Sequence, residues 1–348
     1  MEAQIIKILV LSGLAFLVAM AWTPLWTHVL YRFKLGKTIR NSGATPIFSK
    51  LHAAKSGTPT MGGVLIWVTT LFFAIAIYYL AKFTGWNVFK ELNFLSRSET
   101  WLPLGVLAAT ALVGLFDDWL DVRGKGAKGG GGLSMGRRLL IYTLIAAIGA
   151  LWFYFKLERE TFNIPFFGHF QLGWAYILVF IFVIVATAFS VNQTDGLDGL
   201  AGGVLLTSFT AYAVIAFVNG TYNLAALCGI IVGCLLAFLW FNITPARFFM
   251  GDTGSMSLGI TLGIIGMLTD SALILMIIGS VFVLEAVSTI IQILSKKIRK
   301  KKVFLSAPIH HHFEAKGWSE GKIVMRFWVI AWVSSFAGLV IFLLDRLQ

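Results

Sequence analysis

WAYILVFIFVIVATAFSV, residues 174–191, runs directly into NQTDGLDG, residues 192–199. An uncharged apolar stretch of this length reads as a membrane-spanning helix, which needs roughly 20 residues. The polar octet places two acids, Asp195 and Asp198, where such a helix would reach water. An apolar run ending in carboxylates at an interface is the unit that recurs in both directions along the chain.

Outward from that stretch the composition is uniform in kind. Hydrophobic residues make up 58% and charged residues 13% of the 348-residue chain, and the mean hydropathy is +0.83. Soluble domains have about 45–50% apolar and about 25% charged residues, so only a membrane protein suits these figures. Apolar runs near 5–30, 62–81, 101–120, 139–157, 174–191, 200–218, 223–243, 255–269, 271–294 and 323–344 predict an all-α, polytopic integral membrane protein with about ten transmembrane helices. They leave room for one integral domain, residues 1–348, and for no large soluble one. The first run is too long for a signal-peptide core and no small-residue cleavage site follows it, so it is expected to persist as the first span. Cys228 and Cys234 share one apolar run at a spacing that turns them to different helix faces, which points to inert packing.

Orientation follows from the basic residues. Most of the 28 Lys and Arg fall in the loops after the first, third and ninth runs, so the positive-inside bias puts those loops in the cytoplasm and both termini outside, in the periplasm. The run at 255–269 is short enough to be a tilted half-span. It is kept as a crossing, because removing it would move Lys296, Lys297, Arg299, Lys300, Lys301 and Lys302 to the other side.

The acids then fall into one layer. Asp117 and Asp118 close the third run in GLFDDWLD, Asp195 and Asp198 follow the fifth, and Asp252 follows the seventh in FFMGDTGS. A single Asp at a helix end is ordinary capping; three Asp-rich stretches on one face suggest a shared site. Adjacent carboxylates repel by roughly 4 kcal/mol at about 4 Å and a dielectric near 20, so a cation should offset the Asp117 and Asp118 pair or one of the two should stay protonated. Magnesium, which takes oxygen ligands and substrate phosphates, is the natural candidate.

The same side holds KSGTPTMGG, in which Lys55 can meet phosphate and Gly57, Gly62 and Gly63 allow close backbone approach. PIHHHF, residues 308–313, places three histidines in a row, and neighbouring side chains diverge too far for a three-His zinc site. One of them could serve as a proton donor or phosphate ligand. Glu285, inside the ninth run, requires a partner or a water-filled cleft. Gly129 to Gly132, beside Lys125 and Lys128, reads as a mobile loop.

Taken together, DD at 117–118, NxxDGLDG at 192–199, PAxxFMGDTGS at 245–255 and APIHHHFExKGW at 307–318 resemble the phospho-N-acetylmuramoyl-pentapeptide transferases, a family of the polyprenyl-phosphate N-acetylhexosamine-1-phosphate transferase superfamily. The resemblance covers nearly the whole chain in the right order. It implies UDP-N-acetylmuramoyl-pentapeptide and undecaprenyl phosphate as substrates, lipid I and UMP as products, a Mg2+ requirement, and a bacterial inner membrane location among membrane lipids with the active site facing the cytoplasm. No nucleic-acid partner is expected, and a homodimer is left open.

By the same resemblance, Asp252 matches the family's magnesium-ligating aspartate, and Asp117 and Asp118 match paired aspartates assigned to catalysis and to handling the lipid phosphate. Lys55, Thr60, Asn192, Asp195, Asp198, Asn242 and Gly251 match positions lining the nucleotide and phosphate cleft. His310 matches the first, functionally essential histidine, with His311 and His312 beside it. The loop after the Asp pair departs from the family pattern in holding Asp121 and the glycine tract, which leaves open whether Lys125, Lys128 or Arg138 contacts phosphate. A transferase for another UDP-N-acetylhexosamine is the alternative. A transporter is disfavoured, since its charges would sit near mid-membrane in repeated broken helices.

Overall fold

The computed structural model describes residues 1–36, 52, 55–97, 99–124 and 132–348. The expectations for Lys125, Lys128 and Gly129 to Gly131 lie outside the described residues. Within them the order is α1 (Glu2–Arg32), α2 (Val64–Phe83), α3 (Asn87–Leu92), α4 (Trp101–Val122), α5 (Met135–Lys156), β1 (Thr161–Ile164), β2 (Gly168–Gln171), α6 (Ala175–Thr194), α7 (Leu200–Val218), α8 (Tyr222–Asn242), α9 (Asp252–Leu268), α10 (Ala272–Ile278), α11 (Ser280–Ile298), α12 (Ile309–Ala315) and α13 (Glu320–Asp345).

Apolar runs become helices because a helix satisfies its own backbone polar groups where no water can. Eight of them, α1, α2, α4 to α8 and α13, are long and apolar enough to cross a membrane. The short run at 255–269 is α9, a 17-residue helix. It is enclosed on all sides: every residue from Thr253 to Met267 is buried. The run at 271–294, read as one span, is instead two helices, α10 and α11, bent by 85°. Gly279 sits at the break and its N–H returns to the Leu275 carbonyl at 2.7 Å.

One departure from an all-helical chain is the antiparallel hairpin β1–β2, with Thr161 opposite Gln171 and Ile164 opposite Gly168. It lies in the polar link between α5 and α6, and Asp345 at the end of α13 accepts from the Asn163 amide at 3.0 Å and the Phe166 N–H at 2.5 Å. The hairpin therefore caps the end of the bundle opposite the C-terminus of α6.

The centre of the bundle is α7 and α8, which are mostly buried, whereas α1 is mostly exposed. Outward-facing Leu9, Phe72, Leu112, Ile148, Phe182 and Val329 are exposed, a surface suited to lipid tails. At the site end, backbones cross closely. A Cβ on Gly63 would fall 2.3 Å from the Gly254 Cα, and one on Gly114 would fall 2.4 Å from the Asp252 carbonyl oxygen. These contacts seat the start of α9 between α2 and α4.

Candidate active site

The segment before α2 and the segment before α9 pair like short strands. Phe249 N–H donates to the Pro59 carbonyl, Gly62 N–H to that of Phe249 and Gly63 N–H to that of Met250, each at 2.8 Å. TPTMGG and FFMGD are thus one structural unit, and Thr60 and Gly251 arrive together at Asp118. Gly251 has φ 75°, and a Cβ there would lie 2.5 Å from Asp118 Oδ2 and 2.6 Å from Thr60 Oγ1, so glycine is required twice over.

Asp117 and Asp118 end α4 and are almost fully buried, at 2% and 4% exposure. They face different partners. Asp117 accepts the Leu133 N–H through Oδ1 and forms an ion pair with Arg138, whose Nε lies 2.8 Å from Oδ2. The same guanidinium reaches Asp252 Oδ2 at 2.7 Å, while Asn192 donates to Asp252 Oδ1 at 2.5 Å and to Ser255 Oγ at 3.1 Å. Asp118 instead accepts the N–H groups of Asp252 and Thr253, both at 3.0 Å, and the Thr60 hydroxyl at 3.4 Å. Arg138, from the first turn of α5, is the cation that the Asp pair calls for.

A second group adjoins the first through the same three segments. Lys55 Nζ pairs with Asp198 Oδ1 at 2.7 Å and with Glu320, and Glu320 Oε1 also accepts the Asp198 N–H at 2.7 Å. Asp198 Oδ2 takes the Ala246 N–H at 3.1 Å. Asn242 joins the two loops, accepting the Gly199 N–H at 2.9 Å and donating to the Phe248 carbonyl at 2.8 Å. The Lys55 ammonium lies 6.0 Å from the Phe249 ring centre. Asp195 is the C-cap of α6 and is half-buried. Segments 55–66, 192–199 and 242–252 each supply residues to both groups, which ties the two together.

The three histidines of α12 have three different neighbours. His310, fully buried, pairs with equally buried Glu285 at 2.9 Å, and a Cβ on Gly196 would fall 2.3 Å from His310 Nε2, so its ring packs against the DGLDG loop. His311 Nδ1 donates to Glu314 Oε2 at 2.6 Å, and His52 Nε2 lies 3.2 Å from the same oxygen. Burial, with His310 adding to it, pushes the His311 imidazole down to about 3 against the pull of Glu314. Burial would raise the Glu314 carboxyl, but the hydrogen bonds from His311 and His52 hold it at about 2. His312 is half-buried and accepts the Leu305 N–H at 3.1 Å. His52, His311 and Glu314 bring ligand-type atoms within 4.8 Å of one another, the spacing of a metal-ligand trio, and hydrogen bonding to one carboxylate oxygen already accounts for the cluster.

Sequence reasoning did not reach Glu320, His52 or Glu314. Glu320 is an acid in the first turn of α13, on the side of Lys55, and that position was the available signal. His52 stands three residues before Lys55 but has no motif of its own.

The bundle gathers carboxylates, a lysine and an arginine at one end, and its class is that of the membrane-embedded glycosyl transferases, since Glycosyl transferase family 4 matches residues 100–270. Phospho-N-acetylmuramoyl-pentapeptide-transferase signature 1 matches residues 55–66. The chain is 37% identical over 339 residues to the phospho-N-acetylmuramoyl-pentapeptide-transferase of Geobacillus thermodenitrificans, covering 96% of this chain and 97% of the relative. It is 39% identical over 333 residues to that of Desulforamulus reducens, covering 94% of each, and 37% over 343 residues to that of Bacillus anthracis, covering 96% and 97%. The chain belongs to the phospho-N-acetylmuramoyl-pentapeptide-transferase family.

Proposed function

We propose that the chain transfers phospho-N-acetylmuramoyl-pentapeptide from UDP-N-acetylmuramoyl-pentapeptide to undecaprenyl phosphate, giving lipid I and UMP. This is the first membrane step of peptidoglycan synthesis, and we place it at the cytoplasmic face of the bacterial inner membrane, carried by one integral domain. The relatives' names support the transferred group, and the motif resemblance supports the nucleotide carrier and the lipid acceptor. The observation that carries the chemistry is the meeting of Asp117 and Asp252, from α4 and α9, on the one guanidinium of Arg138.

That donor set fits Mg2+. Two carboxylates already converge on a cationic group, hard oxygen ligands suit this ion, and both cysteines are buried within α8. Asp252, with Asp117 beside it, would hold the ion. When bound, Mg2+ would neutralise charge on the diphosphate.

The chain's own residues do the rest by position and charge. Asp117, its carboxylate fixed by the Leu133 N–H and Arg138, takes the proton from undecaprenyl phosphate or steers its oxygen. That oxygen attacks the β-phosphorus, a P–O bond forms, and the bond from the β-phosphorus to the bridging oxygen breaks with its electron pair leaving on UMP. Lys55, now held by Asp198 and Glu320, offers its ammonium to the incoming diphosphate. Arg138 offsets the acids while the site is being charged. Direct displacement needs no covalent enzyme intermediate.

The test is purified protein supplied with undecaprenyl phosphate and either UDP-N-acetylmuramoyl-pentapeptide or UDP-N-acetylglucosamine, with and without EDTA. Lipid I and UMP should form from the first nucleotide only, and only without EDTA. Preference for the second would reassign the sugar, and solute flux in proteoliposomes with no transfer would reassign the class.

A further inference from the structure

The two adjacent aspartates have opposite orientations, and their partners separate their tasks. Asp117 engages Arg138, which also holds Asp252. Asp118 meets the start of α9: Oδ1 accepts the Asp252 N–H and the Thr60 hydroxyl, and Oδ2 accepts the Thr253 N–H. Those two amides are the first of α9 and have no acceptor within their own helix. The N-cap residue, Gly251, has no side chain with which to satisfy them, and a Cβ at that position would collide with the Asp118 carboxylate.

We infer that Asp118 is a positioning residue: it serves as the missing cap of α9 and fixes the Asp252 carboxylate where the cation is held, without itself handling the lipid phosphate. The inference rests on the proposed role of Asp252 as metal ligand. A carboxylate on helix N-terminal amides makes charge-assisted hydrogen bonds and meets the positive end of the helix dipole. The arrangement is rigid because Thr60 and Gly251 arrive on the paired segments described above. Asp118 therefore acts on the reaction through the placement of its neighbour.

The experiment combines three measurements on full-length protein in detergent: hydrogen exchange at the Asp252 and Thr253 amides, Mn2+ binding by electron paramagnetic resonance, and turnover against Mg2+ concentration. In the wild type the two amides should exchange slowly, although first-turn amides are ordinarily open. In Asp118→Asn they should exchange faster, and the Mn2+ dissociation constant should rise about tenfold, the order expected for losing one charge-assisted hydrogen bond. The Mg2+ half-saturation should rise by more than kcat falls. Unchanged exchange and Mn2+ affinity with turnover lost at saturating Mg2+ would overturn the inference and give Asp118 a direct role. Should the variant fail to fold, fast exchange of the two amides in the wild type would overturn it equally. Absence of Mn2+ binding in the wild type would instead defeat the metal assignment, leaving the exchange result to decide the cap.

Discussion

Arg138 governs the residue scale. Its guanidinium lies 2.8 Å from Asp117 and 2.7 Å from Asp252, so a buried and a half-buried carboxylate share one countercharge. Removing either acid should have a distinct effect. Asp252→Ala should abolish Mg2+-dependent turnover. Asp117→Asn should lower kcat by about 10²–10⁴-fold, the range of a general base, with nucleotide affinity changed much less. Kinetics with nucleotide binding measured separately decide this, and wild-type rates in both variants would remove them from the site. Asp117, Asp118 and Asp252 could be placed in one layer from the sequence because apolar runs fix depth. Which of them shares a cation could not be, because that depends on χ angles and on Arg138 reaching across from another helix.

Elements show the same division. All ten apolar runs are helical, since apolar length alone dictates that, but the 85° bend between α10 and α11 depends on what each half packs against. The bend carries Glu285 to His310, which answers the need for a partner that its apolar surroundings implied. The cluster that His311 and Glu314 of α12 form with His52 makes a pH prediction. Unfolded, His311 would bind a proton below its ordinary value of 6.5, whereas folded it stays neutral down to about 3. Glu314, at about 2 instead of 4.5, adds the same sign at lower pH. The unfolded state therefore takes up protons that the folded state does not, and stability falls as pH drops below 6.5. The melting temperature in detergent should fall from pH 7 to pH 5, and less steeply in His311→Gln. An equal slope in both would exclude His311 as the source.

Among the described residues of the whole molecule, Lys55, Arg138 and the acids share one end of the bundle and the β1–β2 hairpin occupies the other. Cys228 and Cys234 are buried, so introduced cysteines can be labelled against a quiet background. Phe167, in the exposed hairpin turn, and Lys300, in the exposed basic segment after α11, should differ. An impermeant maleimide should label Phe167→Cys in intact cells and Lys300→Cys only after the inner membrane is opened. The reverse pattern would invert the topology.

If carboxylates distant in sequence hold one divalent cation, metal-directed cleavage will mark them both. Fe2+ bound in place of Mg2+, with ascorbate and peroxide, should cut the chain beside both Asp117 and Asp252, and excess Mg2+ should suppress both cuts together. Cleavage at only one of them, or beside His52, His311 and Glu314 instead, would contradict the account.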